Sequence, residues 1–216
     1  MYLAWNEKTI ADFSNKSIES AYNDGYVFTR VGRGNMNQTR ILRIDLSKFK
    51  LSSENKRILK KTEDLNLFVS PIPYGHYDWA IHKMGKDFYE QKFGPKTFSA
   101  QKIKELITDK TKSNFNTLFV YFTKGQNVGY CIVLETPQIL HYCYPFYNLG
   151  LNYPNLGMGM MLRAIVWAQE NNKKYIYLGS AQRPTDTYKM QFSGLEWFDG
   201  KEWSEDLTKL KNILQK

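Results

Sequence analysis

The spacing of apolar residues predicts a chain in which short strands alternate with short helices. Alternating apolar side chains from Thr39 to Phe49 indicate one strand, and Thr117–Thr123 with Val128–Glu135 indicate two strands joined by a turn. A further strand, Ile139–Tyr144, is expected to end at Pro145, because proline cannot donate to a strand ladder. The remaining predicted strands are short, at Lys174–Gly179 and Leu195–Asp199.

Helices are predicted where apolar residues recur with a period near 3.6 and capping residues or glycines mark the ends. Helix Gly157–Asn171 is apolar over most of its circumference and is therefore expected to be buried. A basic helix capped by Ser52 or Ser53 is expected to run to about Lys61. The other predicted helices are Ala11–Asn23, Tyr77–Tyr89, Ala100–Lys110, Thr185–Phe192 and Ser204–Lys216.

This order of elements predicts a mixed α/β (α+β) fold, with a mostly antiparallel sheet, one parallel strand pair and helices on both faces. The parallel pair is expected near the end, where strand, loop, helix and strand follow one another and require a crossover. The break at Pro71–Gly75 predicts a boundary. We therefore expect a basic N-terminal segment of residues 1–70 packed on a core domain of residues 71–216.

Positive charge is concentrated in one stretch of the sequence. Ten Lys or Arg and two acids, Asp45 and Glu54, lie between Arg30 and Lys61, whereas the net charge of the whole chain is +9. Clustered cations attract phosphate groups, so a nucleic-acid partner is one interpretation and a solubilising surface is the other. The candidate phosphate contacts are Arg40, Arg43, Lys56 and Arg57.

The composition argues against several classes of protein. An apolar content of 42% with 15% aromatic residues is too high for a disordered chain. No window approaches the roughly 18 apolar residues of a membrane span. Two cysteines and three histidines favour neither a disulfide scaffold nor a metal site. The start, Met1–Glu7, lacks the features of a secretory leader. We therefore expect a cytoplasmic protein with no membrane partner.

The segment Leu156-Gly157-Met158-Gly159 introduces the long apolar helix and is a candidate site for an acyl donor. Glycines let backbone N–H groups approach a ligand, and the amino end of a helix favours phosphate. In GNAT enzymes a loop of the form Q/R-x-x-G-x-G/A binds the pyrophosphate of coenzyme A. Pro154 stands here where that pattern has Gln or Arg. An ordinary helix start is the alternative, because glycine also serves tight turns.

Several short blocks, in order, resemble the leucyl- and arginyl-tRNA–protein transferases of the GNAT superfamily. That family has a Tyr-x-Phe-Tyr-Asp-Pro segment, a Leu-Gly helix start, a Tyr-x-Tyr-Leu-Gly strand and a Tyr-Lys-x-x-Phe element. The corresponding blocks here are Tyr144–Asn148, Leu156-Gly157, Tyr175–Gly179 and Tyr188–Phe192, with a basic block Arg43–Arg57 upstream. The chain departs from the family in two places. Ser180–Pro184 replaces a Tyr/Trp-rich segment, and the family's N-terminal cysteine cluster has no counterpart, since no cysteine precedes Cys131.

The resemblance implies transfer of an amino acid from aminoacyl-tRNA to an amine, such as a peptide or a protein N-terminus, with no tightly bound cofactor. The Gly-x-Gly sequence leaves open an alternative, an N-acetyltransferase that uses an acyl-coenzyme A donor. A non-catalytic relative that binds RNA or peptides is a third interpretation. Donor contacts are expected at Leu156, Gly157, Met158, Gly159, Gly179 and Lys189.

Tyr188 is the leading catalytic candidate, as a proton donor to the leaving group or as a group that orients the carbonyl. Glu135, near a strand end, and Asp186 are candidate bases, although Asp186 would equally serve as a helix cap. Tyr142 and Tyr144 are expected to line the substrate cleft, with core packing as the alternative. His141 faces the opposite side of its strand, and a structural role is expected for it. A strand break at Pro145 would open a wedge for the acyl group.

Overall fold

The structure, a computed structural model, describes residues 3–215. Two compact units divide the chain: the first comprises residues 3–52, 136–141 and 167–215, and the second comprises residues 53–135 and 142–166. In chain order the elements are β1 Asn6–Thr9, α1 Asn15–Asn23, β2 Tyr26–Phe28, β3 Asn35–Gln38, β4 Ile41–Asp45, α2 Ser53–Lys61, β5 Asn66–Pro71, α3 Trp79–Phe93, α4 Ala100–Thr108, β6 Thr117–Thr123, β7 Gln126–Glu135, β8 Ile139–Tyr147, α5 Leu156–Glu170, β9 Tyr175–Ser180, a 3₁₀ helix Pro184–Gln191, β10 Leu195–Phe198, β11 Trp203–Ser204 and α6 Leu207–Leu214.

The first unit contains a small antiparallel sheet in the order β1-β3-β2. The sequence did not predict these strands, because they are three or four residues long and two of them, Asn6–Thr9 and Asn35–Gln38, are largely polar. Helix α1 begins later than predicted. Ser14 caps it by accepting a hydrogen bond from the backbone N–H of Ser17.

The remaining strands of the first unit follow the order β11-β10-β4-β9-β8, and the last neighbours are parallel. Ile139–His141 of β8 pair with Tyr175–Tyr177 of β9 in that parallel register. β4 pairs antiparallel with both β9 and β10. The parallel pair that was expected from the crossover is therefore confirmed, and so is the mixed, mostly antiparallel arrangement of strands with helices.

In the second unit, β5, β6 and β7 pair antiparallel in that order. Strand β6 has the predicted bounds. The β6–β7 turn is tighter than predicted, because Lys124 and Gly125 both adopt positive φ values of 49° and 76°. Two central residues of that kind form the type I′ turn that matches the twist of a hairpin. Pairing therefore starts at Gln126, two residues before the predicted Val128.

Two predicted ends are wrong. Pro145 does not end β8, which continues to Tyr147. Proline has backbone angles compatible with a strand and lacks only the N–H, while its carbonyl here accepts a hydrogen bond from the Tyr89 hydroxyl at 3.1 Å. The cap of α6 is Asp206, which accepts from the backbone of Lys209, and not Ser204. Three residues that the sequence analysis mentions lie outside the described residues: Lys216, at the end of that predicted helix, and Met1 and Tyr2. The domain boundary expected at residues 70 and 71 stays a prediction.

Arg43 is the polar centre of the first unit. It is 6% exposed, and its Nε and Nη2 both lie 2.8 Å from Oε2 of Glu196. Its guanidinium carbon lies 3.9 Å from the ring centroid of Tyr175 and 3.7 Å from that of Trp203. Nη1 also donates to Asn23 and, at 3.5 Å, to the Tyr177 hydroxyl. One side chain on β4 therefore contacts α1, β9, β10 and β11.

We predict that Glu196→Gln destabilises the protein strongly, because it leaves the Arg43 charge buried without its carboxylate. Removing one partner of a buried ion pair costs about 3–5 kcal/mol, and urea unfolding measures that loss directly. Glu54→Gln is the matched control. It removes the carboxylate of an exposed pair, since the side chains of Glu54 and Arg57 are 51% and 47% accessible. An unchanged midpoint for Glu196→Gln would contradict the assignment of Arg43 as a structural centre.

Candidate active site

The amino end of α5 lies in the second unit, and its glycines are inside the helix. Helix α5 starts at Leu156, so Gly157, Met158 and Gly159 form its first turn and not a loop. A Cβ on Gly157 would lie 3.0 Å from Cε1 and from the hydroxyl oxygen of Tyr147. A Cβ on Gly159 would lie 2.9 Å from Cγ2 and Oγ1 of Thr62. Close packing against neighbouring side chains therefore explains both glycines without a ligand.

The segments around this helix start are joined by a network of polar side chains near the surface. Asp64 accepts hydrogen bonds from the Thr123 hydroxyl at 2.6 Å and from the Tyr153 hydroxyl at 2.5 Å. These bonds hold the pKa of the Asp64 carboxyl below its ordinary value, whereas burial and then Asp64 raise the pKa of Tyr153. Arg163 donates to the carbonyl of Thr62, which follows α2. The loop before α5 and the end of α2 are thus both anchored beside the first turn of α5.

Helix α2 brings the candidate cations Lys56 and Arg57 into the same unit. Both are exposed, as are Lys60 and Lys61 on the same helix, and its buried residues are Asn55 and Ile58. Arg57 pairs with Glu54 at 2.5 Å, which raises the pKa of Arg57. α2 therefore presents a cationic outer face, and its last turn leads directly to the Thr62–Gly159 contact.

Three further candidates in the second unit differ in their accessibility. Glu135 is half-buried at the end of β7, where its Oε2 accepts from the Thr117 hydroxyl at 3.3 Å. Tyr142 is 2% exposed and belongs to the core. Tyr144 is half-buried and packs edge-on against Phe98 and Phe115, with ring centroids 5.3 and 5.4 Å away. Core packing therefore accounts for both tyrosines as well as a cleft would.

In the first unit, the carboxyl end of β9 meets the 3₁₀ helix. Lys189 is 8% exposed, and its Nζ donates to the carbonyl of Ser180 at 3.0 Å. Asp186 closes the helix start, because its Oδ2 accepts from the backbone N–H groups of Gln182 and Arg183, both at 2.9 Å. The neighbouring Tyr188 is 46% exposed. The expected capping role of Asp186 is thereby seen, and Lys189 is buried and not a solvated surface lysine.

The two candidate phosphate-binding arginines of the first unit, Arg40 and Arg43, already have partners within the protein. Arg43 is committed to Glu196 and two aromatic rings, a geometry that favours a structural role. Arg40 is half-buried, and its Nη1 lies 3.4 Å from the carbonyl of Ala181. Burial lowers the pKa of Arg40.

His141 is 3% exposed, and its Nδ1 lies 2.9 Å from the Tyr22 hydroxyl. Burial and then Lys189 lower the pKa of His141 to about 3, and its buried, hydrogen-bonded position suits the structural role expected for it.

The structure thus gathers the candidates in two groups. The first unit holds Arg40, Arg43, Gly179, Asp186, Tyr188 and Lys189, and the second holds Lys56, Arg57, Glu135, Tyr142, Tyr144, Leu156, Gly157, Met158 and Gly159. Sequence reasoning missed Asp64, Tyr153 and Ser180. The Asn/Tyr-rich loop before α5 was a signal for Tyr153, but its partner Asp64 is 89 residues away. The carbonyl of Ser180 is a backbone group that no side-chain pattern identifies.

Comparison with protein families matches residues 73–199 to the family described as arginine-tRNA-protein transferase, C terminus. The chain belongs to this family. The short sequence blocks indicated a resemblance to the tRNA–protein transferases, and the family match confirms it. The matched range includes β6–β9, α5 and the 3₁₀ helix with Tyr188 and Lys189.

Similar proteins agree with that membership over a shorter range. An aspartate/glutamate leucyltransferase of Xylella fastidiosa is 34% identical over 83 residues, which are 38% of this chain and 33% of the relative. One of Xanthomonas oryzae pv. oryzae is 30% identical over the same shares. The chain spans about a third of the length of the curated relatives it matches. The structure of L-PGS from Bacillus licheniformis shares the fold, with a TM-score of 0.50, 12% identity, and coverage of 94% of this chain and 71% of that one.

Within residues 3–215, no group of three or more His, Cys, Asp or Glu side chains is arranged to hold a metal ion. Over the same range, none of the helices combines the length and apolar character that crossing a bilayer requires.

We predict that Gly159→Ala is sensitive to the size of residue 62. Overpacking against Thr62 costs about 1–3 kcal/mol, whereas replacing a helical glycine by alanine gains about 1 kcal/mol. In a Thr62→Ala background the two γ atoms are gone and the nearest atom left at residue 62 is its Cβ, 3.1 Å from the new methyl group. Most of the overpacking is then relieved, so the two substitutions should couple by at least about 1 kcal/mol. A double-mutant cycle in urea, without any ligand, measures this. Simple additivity would contradict packing as the reason for Gly159.

Proposed function

We propose that the protein transfers an amino acid from aminoacyl-tRNA to the amino terminus of an acceptor protein. The family match over residues 73–199 carries the proposal, because it spans the strands, buried helix and 3₁₀ helix that hold most of the candidate residues. The two bacterial relatives are named for leucyl transfer and for aspartate or glutamate. We extend those names to this chain as a proposed acceptor with an acidic first residue. Its proposed location is the cytoplasm, where aminoacyl-tRNA is present.

In the proposed reaction, the neutral amine of the acceptor attacks the ester carbonyl of the aminoacyl-tRNA. A C–N bond forms, the ester C–O bond breaks, and the terminal ribose oxygen leaves. The proton lost by the amine is balanced by the proton that the ribose oxygen gains. The enzyme's main contribution is to hold the amine and the ester in contact with suitable orientation. No cofactor is required by this chemistry, and the donor itself is the activated compound.

Roles for individual side chains follow from their exposure. Tyr188 is the proposed proton donor to the ribose oxygen, because it is an exposed tyrosine within the matched region. Glu135 is the proposed acceptor of the amine proton, directly or through water. Asp186 is proposed to position Tyr188 by capping the 3₁₀ helix that carries it. Tyr142 and Tyr144, in the second unit, are proposed substrate contacts.

The donor tRNA is proposed to lie along α2 and the amino end of α5. The four cations of α2 supply charge for phosphates, and the first turn of α5, Leu156–Gly159, adds the positive end of a helix dipole. Arg40 is a further proposed phosphate contact. The acyl-coenzyme A alternative rested on Gly157 and Gly159, and their contacts with Tyr147 and Thr62 already explain both glycines. It is kept as one arm of the experiment.

The decisive measurement offers the purified protein labelled leucyl-tRNA, arginyl-tRNA or acetyl-coenzyme A, each with peptides that begin with Asp, Glu or Ala. We expect label from one aminoacyl-tRNA to move to the Asp and Glu peptides. Label that moves from acetyl-coenzyme A alone would replace this proposal with an acetyltransferase. Binding of tRNA without transfer of any label would identify a non-catalytic relative.

Tyr188→Phe tests the proposed proton donor. The substitution removes the hydroxyl and keeps the ring, so we expect a fall in the single-turnover rate of about 10²–10⁴-fold, the range of general acid–base catalysis. Binding of aminoacyl-tRNA should change little. An unaltered rate would remove Tyr188 from the chemistry and favour a surface role for its exposed ring.

The cationic face of α2 makes a prediction about salt. Replacing Lys56 and Lys60 together by Ala should weaken tRNA binding and reduce the slope of log K against log salt by about one for each lost phosphate contact. The matched control is Lys201→Ala with Lys209→Ala, which removes two exposed cations of the first unit. Equal losses in both double variants would show that net charge, and not α2, governs tRNA binding.

A further inference from the structure

Lys189 is a buried ammonium at the carboxyl end of a parallel strand. Its side chain runs from the 3₁₀ helix to β9, where Nζ lies 3.0 Å from the carbonyl oxygen of Ser180. The residue before it, Tyr188, is exposed, whereas Lys189 is 8% exposed. Ligands of α/β proteins commonly bind beyond the carboxyl ends of parallel strands. The position of this charge is therefore one where a substrate group could reach it.

The charge of Lys189 is incompletely neutralised. Within residues 3–215, the ammonium donates one hydrogen bond, to Ser180, and has one carboxylate nearby, Asp186 Oδ1 at 4.0 Å. The other oxygen of Asp186 is already held by two backbone N–H groups. Burial lowers the pKa of Lys189, Asp186 opposes this, and the charge of Arg183 lowers it further. A buried ammonium has three donors and is costly unless they are used.

Gly179 leaves space directly beside this ammonium. Its φ is +80°, a conformation that favours glycine, and a Cβ built there would have, apart from residues 178–180 themselves, Lys189 Nζ at 3.6 Å as its one neighbour within 4 Å in the described chain. A small group of a substrate can therefore approach Nζ over Gly179 without displacing atoms of other segments. This space suits a carbonyl oxygen better than a phosphate of an RNA backbone, because the ammonium itself is nearly covered.

We propose that the Lys189 ammonium donates a hydrogen bond to the carbonyl oxygen of the aminoacyl ester in the space left by Gly179. This inference rests on the proposed aminoacyl transfer. When the acceptor amine attacks, the carbonyl electron pair moves to that oxygen and a C–N bond forms. Lys189 stabilises the resulting oxyanion without giving up its proton. The carbonyl bond then re-forms, the ester C–O bond breaks, and the ribose oxygen takes up the proton that the amine loses.

The test uses Lys189→Met and Lys189→Arg in the full chain, with Lys201→Met as an exposed lysine control. Single-turnover transfer is measured with the aminoacyl-tRNA that the unsubstituted protein uses. Loss of one oxyanion donor typically lowers the rate about 10²–10³-fold. We expect that loss for Lys189→Met with tRNA affinity changed less than about twofold, and a near-normal rate for Lys201→Met. A folded Lys189→Met protein that keeps its rate would overturn the proposal.

A pH profile separates this role from a merely structural one. The rate should fall as pH rises through the lowered pKa of Lys189, because the neutral amine is a weaker donor. In Lys189→Arg the slower rate should persist to higher pH, since guanidinium stays protonated. The groups that face Lys189 are Asp186, Arg183, Tyr188 and His141. Tyr188→Phe should retain the alkaline fall, and neutral His141 titrates only in acid.

These readouts distinguish the two proposals. If the unsubstituted protein transfers label from no aminoacyl-tRNA, the proposed function fails and this inference falls with it. If transfer occurs and the alkaline fall is the same in the Lys189→Arg protein, the oxyanion role alone is wrong. Thermal unfolding of each variant identifies misfolding, and should Lys189→Met misfold, the Lys189→Arg profile decides the question.

Discussion

The first unit depends on a single buried guanidinium. Arg43 lies on β4 between two aromatic rings and contacts a carboxylate from β10, so its interactions join α1 to four strands of different sequence position. A buried ion pair is weak evidence for stability in itself, because desolvation offsets the attraction. Its effect is on specificity: strands that place Glu196, Tyr175 and Trp203 elsewhere would leave a bare charge in the interior. A strand register that separates Arg43 from these partners would also move the carboxyl end of β9.

Arg43 and Lys189 show two different treatments of buried positive charge in one unit. Arg43 has a carboxylate at hydrogen-bond distance, an amide, a hydroxyl and two π faces. Lys189 has one carbonyl and a carboxylate that is already engaged by a helix cap. Buried groups with shifted pKa values and incomplete compensation concentrate at functional sites, although structural networks shift pKa values too. The contrast supports a structural role for Arg43 and the proposed catalytic role for Lys189.

The sequence predicted those parts of the fold that depend on local patterns. Strand β6 is a continuous apolar run bounded by turn residues, and helix α2 is a basic segment with serines at its start, so both were found. The crossover rule gave the parallel pair of β8 and β9. The polar strands β1 and β3 were missed because they form through pairing with neighbours. β5 was missed because Pro71 resembles a break, although proline is compatible with the last position of a strand.

The candidate site was predictable in its residue types but not in its contacts. The Tyr188-Lys189 dipeptide stood out from the family resemblance, yet burial of the lysine depends on the carbonyl of Ser180 and on the missing side chain of Gly179. The role of Arg43 depends on Glu196, which is 153 residues away. Gly157 and Gly159 suggested a ligand loop, and their true neighbours, Tyr147 and Thr62, come from distant segments. Long-range partners of this kind are outside the reach of spacing and propensity.

The contact between Gly159 and Thr62 also sets how near α2 can come to α5. Because only the Cα hydrogen of Gly159 faces the Thr62 side chain, the residue that follows α2 packs directly against the first turn of α5, and the lysines of α2 lie just before this contact in the sequence. Any larger residue at 159 would push the basic helix outward and thin the positive potential over the start of α5. The sizes of residues 62 and 159 are therefore coupled, because a larger residue at one position requires a smaller residue at the other.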